Sequence, residues 1–117
     1  MNILTENLDE LITSSSLLIL EVGDSACAPC HAIHSKIDAW VKAHPSASAR
    51  YVPLKDNLAL CAQMGIMSVP TVIAWADGNV VIKESGYFSL VHIFERLDRL
   101  LEIRGNHEEE SNEQKEN

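Results

Sequence analysis

The chain has 117 residues, 46% of them hydrophobic and 22% charged, and its formal net charge is −8. This length accommodates one domain of about a hundred residues. No apolar run approaches the roughly 18 residues of a membrane span, and the negative charge argues against a nucleic-acid-binding surface, which needs a basic footprint.

The N-terminal segment does not resemble a secretory signal. Residues 1–7 contain no basic n-region, and acidic residues interrupt the first apolar stretch. We therefore expect a cytosolic protein. Thr5 is a candidate cap for a short helix that places Leu8, Leu11 and Ile12 on one face and ends near residues 14–16.

An apolar run over residues 17–22 predicts the first strand. The run is apolar on both faces, which is typical of a strand in the middle of a sheet, yet it contains the acidic residue Glu21. The strand leads into the motif Cys27-Ala28-Pro29-Cys30. A helical pattern begins at Cys30 and includes Ile33, Ile37, Trp40 and Val41, and His44-Pro45 ends it.

The second half of the chain predicts three further strands and two helices. These are a strand over 49–52, a helix capped by Asn57 and stopped at Gly65, a strand over 69–75, a strand over 80–82 that follows the hairpin turn Asp77-Gly78, and a helix capped by Ser89 with an apolar stripe to Leu101. Alternating strands and helices pair in parallel through right-handed crossovers, and the hairpin adds an antiparallel strand. The predicted fold class is therefore α/β, with a mixed central sheet flanked by helices on both faces.

The last residues differ in composition from the rest. Residues 105–117 contain no aromatic or branched apolar side chain, and they have five Glu against one Lys. Such a segment cannot bury enough surface to offset its ordering entropy. We expect one domain over residues 1–104 and a disordered acidic tail over residues 105–117.

The spacing of two cysteines indicates chemistry. In a reducing compartment, Cys-x-x-Cys spacing points to redox activity or metal binding rather than to a structural disulfide. Cys27 precedes a helix, whose dipole and free N–H groups favour the thiolate, so we expect it to be the nucleophile. Cys30 lies one turn into the helix and faces inward, so it can resolve a mixed disulfide without any bound cofactor.

Glu21 precedes Cys27 by six residues on the strand that leads to the motif. If it lies under the cysteines, burial raises its pKa and lets it accept the proton of Cys30. The alternative is an ordinary strand-end acid that points to solvent. The strand pattern alone leaves both positions open.

The chain resembles the thioredoxin family over residues 17 to about 101. The resemblance rests on the acid six residues before the first cysteine, the Cys27-Ala28-Pro29-Cys30 motif, residues 65–71, the Asp77-Gly78 turn and Gly86. It implies a thioredoxin fold and a monomeric protein-disulfide reductase, with disulfide-containing clients and an external reductase such as a thioredoxin reductase as partners. It also implies a cis Val69–Pro70 bond beside the cysteines and a substrate groove formed by Met67, Ser68, Val69 and Gly86, alongside Ala28 and Pro29 of the motif.

Several residues depart from the family pattern. Ala26 and Ala28 replace a tryptophan and a glycine beside the first cysteine, and Ser35 replaces a proline in the helix. The acid is glutamate rather than aspartate, and Tyr51 occupies the position where the family often has a partner lysine. These differences bear on substrate choice and reduction potential more than on the type of reaction.

Other functions compete for the same residues. The sequence from Cys27 to His31 also matches a c-type haem attachment motif, although no export signal accompanies it. A zinc site would use Cys27, Cys30, His31 and His34, but all four crowd one helical segment, and we interpret the two histidines as exposed helix residues. A non-catalytic binding module and a more oxidising oxidase or isomerase share the fold. Cys61, on an apolar helix face, is interpreted as core.

Overall fold

The computed structural model describes the backbone of residues 1–116 and the side chains of residues 1–104. Five strands form one sheet in the order β1-β3-β2-β4-β5. The elements in chain order are β1 Asn2–Ile3, α1 Leu8–Ser14, β2 Leu17–Gly23, α2 Ala28–Ala43, β3 Ala47–Pro53, a 3₁₀ turn Leu54–Asp56, α3 Leu58–Gln63, β4 Thr71–Ala76, β5 Asn79–Ser85 and α4 Leu90–Glu116. The predicted mixed α/β architecture is confirmed.

Strand β2 lies at the centre of the sheet. It pairs in parallel with β3 and antiparallel with β4, and all seven of its residues are buried. Because alternate side chains of a strand point to opposite faces, Leu17 and Ile19 pack with residues of α2 and α4, whereas Leu18 and Leu20 pack with residues of α1 and α3. Helices therefore cover both faces, and Glu21 belongs by its alternation to the face of α2 and α4.

Two features near the N-terminus differ from the sequence prediction. The cap of α1 is Asn7 rather than Thr5, because the helix begins at Leu8 and the Asn7 side chain accepts a hydrogen bond of 3.0 Å from the Glu10 N–H. The two-residue strand β1, which pairs in parallel with β3, was not expected. Two residues are too few to produce a hydrophobic alternation.

The boundaries around the two prolines also shift. Helix α2 begins at Ala28 rather than Cys30, since Pro29 is compatible with a first helical turn. Strand β4 begins at Thr71 rather than Val69, directly after Pro70, which has no N–H to donate to a ladder. Both shifts place a proline at the edge of its element.

The hairpin and the last helix begin as expected. Asp77 and Gly78 have φ of 51° and 84°, the left-handed conformation of a tight hairpin turn. Strand β5 extends to Ser85, which pairs with Thr71 at the far end of β4. The Ser89 hydroxyl accepts a hydrogen bond of 3.3 Å from the His92 N–H and caps α4.

Helix α4 has its end at Glu116, inside the segment 105–117 for which the sequence predicts a disordered acidic tail. The side chains of this segment, and residue 117 altogether, lie outside the described residues. The domain boundary at residue 104 and the disorder beyond it stay predictions. Among the described residues, none of the helices combines the length and the hydrophobicity that a membrane span requires.

Candidate active site

The two motif cysteines are joined by a disulfide at the start of α2. Cys27 is the N-cap of the helix and is half-buried, whereas Cys30 lies in the first turn and is only 2% exposed. Pro29 occupies the first turn between them. One sulfur is therefore accessible to a partner molecule, and the other can be reached only from within the protein.

Asp24 organises the loop that joins β2 to α2. Its carboxylate accepts a hydrogen bond of 3.2 Å from the Ala26 N–H, and its carbonyl accepts one of 3.1 Å from the Cys27 N–H. Lys55 lies 3.4 Å from the same carboxylate. The Ala26 N–H, and to a lesser extent Lys55, lowers the pKa of Asp24, so this loop carries a fixed negative charge near the cysteines.

The Val69–Pro70 peptide bond is cis, and Pro70 is buried. Two hydrogen bonds hold the loops on either side of the proline. The Thr71 hydroxyl donates to the Ser68 carbonyl at 2.8 Å, and the Gly86 N–H donates to the Pro70 carbonyl at 3.0 Å. The segment before β4 and the segment after β5 are thereby fixed beside each other.

A pocket of about 290 Å³ lies where these segments meet α2. Its lining includes two of the predicted groove residues, Pro29 and Gly86, together with the cis-proline Pro70 and Tyr87. The other predicted groove residues do not line this pocket: Ala28, Met67 and Ser68 are exposed, and Val69 is half-buried.

Tyr87 was missed at the sequence level. Its side chain is fully exposed, with a relative accessibility of 106%, next to Gly86, which has a φ of 76°. The available signal was an aromatic residue between a glycine and a helix cap, outside any apolar stripe. Such a residue contributes nothing to the core and is available for contact with a partner.

Glu21 is completely buried, which decides between the two positions that the sequence left open. In the sheet it lies between Tyr51 of β3 and Val72 of β4. Burial disfavours the charged form and raises the pKa of Glu21 from 4.5 to about 8. Near neutral pH this carboxyl group is therefore mostly protonated.

A histidine of α2 is an ionisable neighbour of Glu21. His34 Nδ1 lies 3.3 Å from Glu21 Oε1, although neither carboxyl oxygen makes a hydrogen bond to a described residue. The interpretation of His34 as an exposed helix residue was incomplete: its side chain is 38% exposed, but its ring also lies against the buried Glu21. The available signal was its spacing: it follows Cys30 by four residues and so shares that helix face.

Gly23 brings Tyr51 against the motif. A Cβ atom at this position would lie 2.9 Å from Tyr51 Cε2 and 3.2 Å from Cys30 Cβ, so only glycine lets the three groups approach. The aromatic rings of His34 and Tyr51 meet edge to face, with centroids 5.3 Å apart. Burial raises the pKa of Tyr51, and the nearby charges of Glu21 and Asp24 raise it further.

The remaining candidates for metal binding do not converge. Among the residues with described side chains, no group of three or more His, Cys, Asp or Glu is arranged to hold a metal ion. Cys61 is a free thiol, 1% exposed in the core, and burial raises its pKa. The geometry of Cys27 and Cys30 is suited to the formation and cleavage of a disulfide.

Comparisons with known proteins agree with this geometry. The family model described as Thioredoxin matches residues 1–99. The thioredoxin of Alicyclobacillus acidocaldarius subsp. acidocaldarius is 24% identical over 88 residues, which cover 74% of this chain and 84% of that protein. A thioredoxin variant from Halobacterium salinarum NRC-1 superposes with a TM-score of 0.73 at 18% identity, covering 85% of this chain and 88% of the other. Fasciola hepatica thioredoxin superposes with a TM-score of 0.69 at 26% identity, covering 79% and 89%.

The raised pKa of Glu21 predicts a characteristic pH dependence of stability. Between the ordinary pKa of 4.5 and about 8, the unfolded chain loses this proton while the folded chain keeps it, so the contribution of Glu21 to stability falls as the pH rises. Glu21→Gln stays neutral throughout. We expect it to exceed the parent protein in free energy of unfolding by roughly 2–5 kcal/mol at pH 9, with the difference vanishing near pH 4.

The measurement is urea unfolding of the disulfide-bonded protein across this pH range, so that neither motif cysteine titrates. Glu10→Gln, which changes an exposed glutamate of α1, is the matched control and should show no such trend. A difference between Glu21→Gln and the parent that is constant with pH would contradict the prediction.

Proposed function

The chain belongs to the thioredoxin family, and from that premise we propose that it reduces disulfide bonds of cytosolic client proteins through Cys27 and Cys30. Family and fold support thiol–disulfide oxidoreductase chemistry. The observation that carries the finer proposal is the pairing of a half-exposed cysteine at a helix N-cap with a buried cysteine one turn further on. This is the division that an attacking and a resolving thiol require.

Cys27 is the attacking group. At the N-terminus of α2, its thiolate is favoured by the helix dipole and by backbone N–H groups that lack intrahelical partners. The thiolate attacks one sulfur of the client disulfide, a bond forms between Cys27 and that sulfur, and the second client sulfur leaves as a thiolate.

Cys30 completes the reaction from inside. Its thiol gives up a proton, for which the ionised form of the buried Glu21, the minor form near neutral pH, is the proposed acceptor, and its sulfur attacks the Cys27 sulfur. The Cys27–Cys30 bond forms, the bond from Cys27 to the client breaks, and the client sulfur that was bound to Cys27 also leaves as a thiolate; both client thiolates then take protons from solvent. Two electrons pass from the cysteine pair to the client.

Clients bind, in this proposal, across the loops around Pro70. An extended client segment pairs with the strand-like edge at Val69 and contacts the exposed side chains of Met67 and Ser68. Gly86, Ala28 and Pro29 complete the groove of the family, and Tyr87 adds an exposed aromatic ring to it. An external reductase, such as a thioredoxin reductase, returns the disulfide to the dithiol, and the protein acts as a monomer.

The reduction potential distinguishes this function from that of an oxidase. We expect the reduction potential of the Cys27/Cys30 pair to be about −270 mV, the value of a thioredoxin, rather than about −120 mV, the value of a strong dithiol oxidant. Equilibration with glutathione redox buffers, followed by quantification of free thiols, gives the value. Cys61→Ser removes the third cysteine from the thiol count and serves as the working background. A potential at the oxidising end would contradict the reductase proposal.

The division of labour between the cysteines predicts a trapped complex. Cys30→Ser leaves the nucleophile but removes the resolving thiol, so mixed disulfides with clients should accumulate and be released by dithiothreitol. Non-reducing gels of extracts from cells expressing the variant are the measurement. Cys27→Ser is the matched control and should trap nothing. Equal trapping by both variants would show that Cys27 is not the attacking residue.

The exposed ring of Tyr87 predicts an effect on client binding alone. Tyr87→Ala should raise the KM for insulin about fivefold and leave kcat unchanged, because one exposed aromatic contact contributes about 1 kcal/mol. Val80→Ala, at the opposite end of β5 and also exposed, is the control. An unchanged KM would exclude Tyr87 from the client surface.

A further inference from the structure

Glu21 cannot exchange its proton with solvent directly. The residue is completely buried, and its two carboxyl oxygens have no hydrogen-bond partner among the described residues. A group that accepts a proton at each resolution step must release it before the next step. A second group that is in contact with both Glu21 and water is therefore required.

The side chains that neighbour Glu21 come from three elements. Strand β3 contributes Tyr51 and β4 contributes the apolar Val72. One step further away, Asp24 of the loop after β2 is close enough to raise the pKa of Tyr51, as Glu21 does. Helix α2 contributes His34, at 3.3 Å. Of these groups, only the imidazole of His34 has one ring nitrogen that can accept a proton and a second that can donate one.

His34 also reaches the solvent side. It lines a pocket of about 540 Å³ whose wall includes Asp24, His31, Tyr51 and Lys55. His34 Nδ1 is the ring nitrogen nearest Glu21, and the side chain is 38% exposed. The ring thus spans the distance between a buried carboxyl group and an open pocket.

We propose that His34 is a positioning residue that carries the proton between Glu21 and solvent. The proposal rests on the reductase function proposed above. After Cys30 has given its proton to the Glu21 carboxylate, the carboxylic acid passes a proton to Nδ1 of neutral His34, and Nε2 releases its proton to water in the pocket. Glu21 returns to the carboxylate and His34 to the neutral ring, so one proton leaves for each disulfide formed. Regeneration of the dithiol runs the same path in reverse.

The arrangement follows from helix geometry. Cys30 and His34 are separated by four residues and lie on one face of α2, one turn apart. The same face continues with Ile37, which is completely buried and fixes the helix on the sheet. The thiol that releases the proton and the imidazole that removes it are therefore held by one rigid element.

The test measures insulin reduction by the full chain, with dithiothreitol as the electron source, from pH 6 to 9. His34→Ala should slow the reaction about tenfold at pH 7, less than the 10²–10⁴ of a complete acid–base group because water replaces part of the path. Imidazole added to the buffer should restore most of the rate, since the pocket admits a free ring. His92→Ala removes an exposed histidine of α4 and should change neither the rate nor its response to imidazole.

The outcomes separate the two proposals. A parent protein that does not reduce insulin overturns the reductase function and the relay with it. An active parent with an unchanged rate and pH profile in His34→Ala overturns the relay alone. A slow variant that imidazole does not rescue shows a structural role and also overturns the relay.

A double variant tests whether His34 acts through Glu21. If it does, His34→Ala should slow the reaction in the parent background and have no further effect in Glu21→Gln. Additive losses would overturn the proposal. Should His34→Ala fail to fold, His34→Asn keeps a polar side chain that has no imidazole ring and cannot carry a proton, and it should show the same loss and the same rescue by imidazole.

Discussion

The burial of one carboxyl group in the central strand is the constraint on which the rest of the site depends. An ionised carboxylate without partners is costly in a protein interior, so Glu21 is held mostly as the neutral acid, with a pKa of about 8. Strand β2 can hold it there because the strand is paired on both sides and covered on both faces. The same strand then runs through Gly23 into the loop that presents Cys27. A single element thus fixes both the acid and the approach to the thiols.

Helix α2 carries the other half of the site, and contacts far from the cysteines hold this helix in place. Trp40, three turns beyond the motif, stacks on Phe94 of α4 with ring centroids 5.4 Å apart and donates a hydrogen bond of 3.2 Å to Asp98. Ile37 is completely buried against the sheet face that α2 and α4 cover. These contacts set the rotation of the helix about its axis. That rotation turns Cys30 and His34 toward the sheet and leaves Cys27 at the rim.

Much of this could be predicted from the sequence, because the signals were local or lay in fixed spacing. Apolar runs, the turn at Asp77 and Gly78 and the cap at Ser89 each predicted an element. The sequence also matched Tyr51 to the strand position beside Glu21, and the two residues are partners in the β2–β3 register. The contact between His34 and Glu21 could not be found in this way. A helical pattern shows which residues share a face, but the side chain that this face meets depends on how α2 crosses the sheet. Tyr87 was missed for a related reason, since an exposed residue leaves no trace in hydrophobic periodicity.

Tyr51 stands where the thioredoxin family often has a lysine, and this difference bears on the electrostatics of the proposed proton transfer. A lysine beside the buried acid would stabilise its carboxylate and lower its pKa, whereas a phenol offers no such charge, and the pKa of Tyr51 is itself raised. Burial is the cause that raises the pKa of Glu21 to about 8. An ionised Glu21 therefore binds a proton more tightly than an ordinary carboxylate would, which favours the transfer from Cys30 in the proposed reaction.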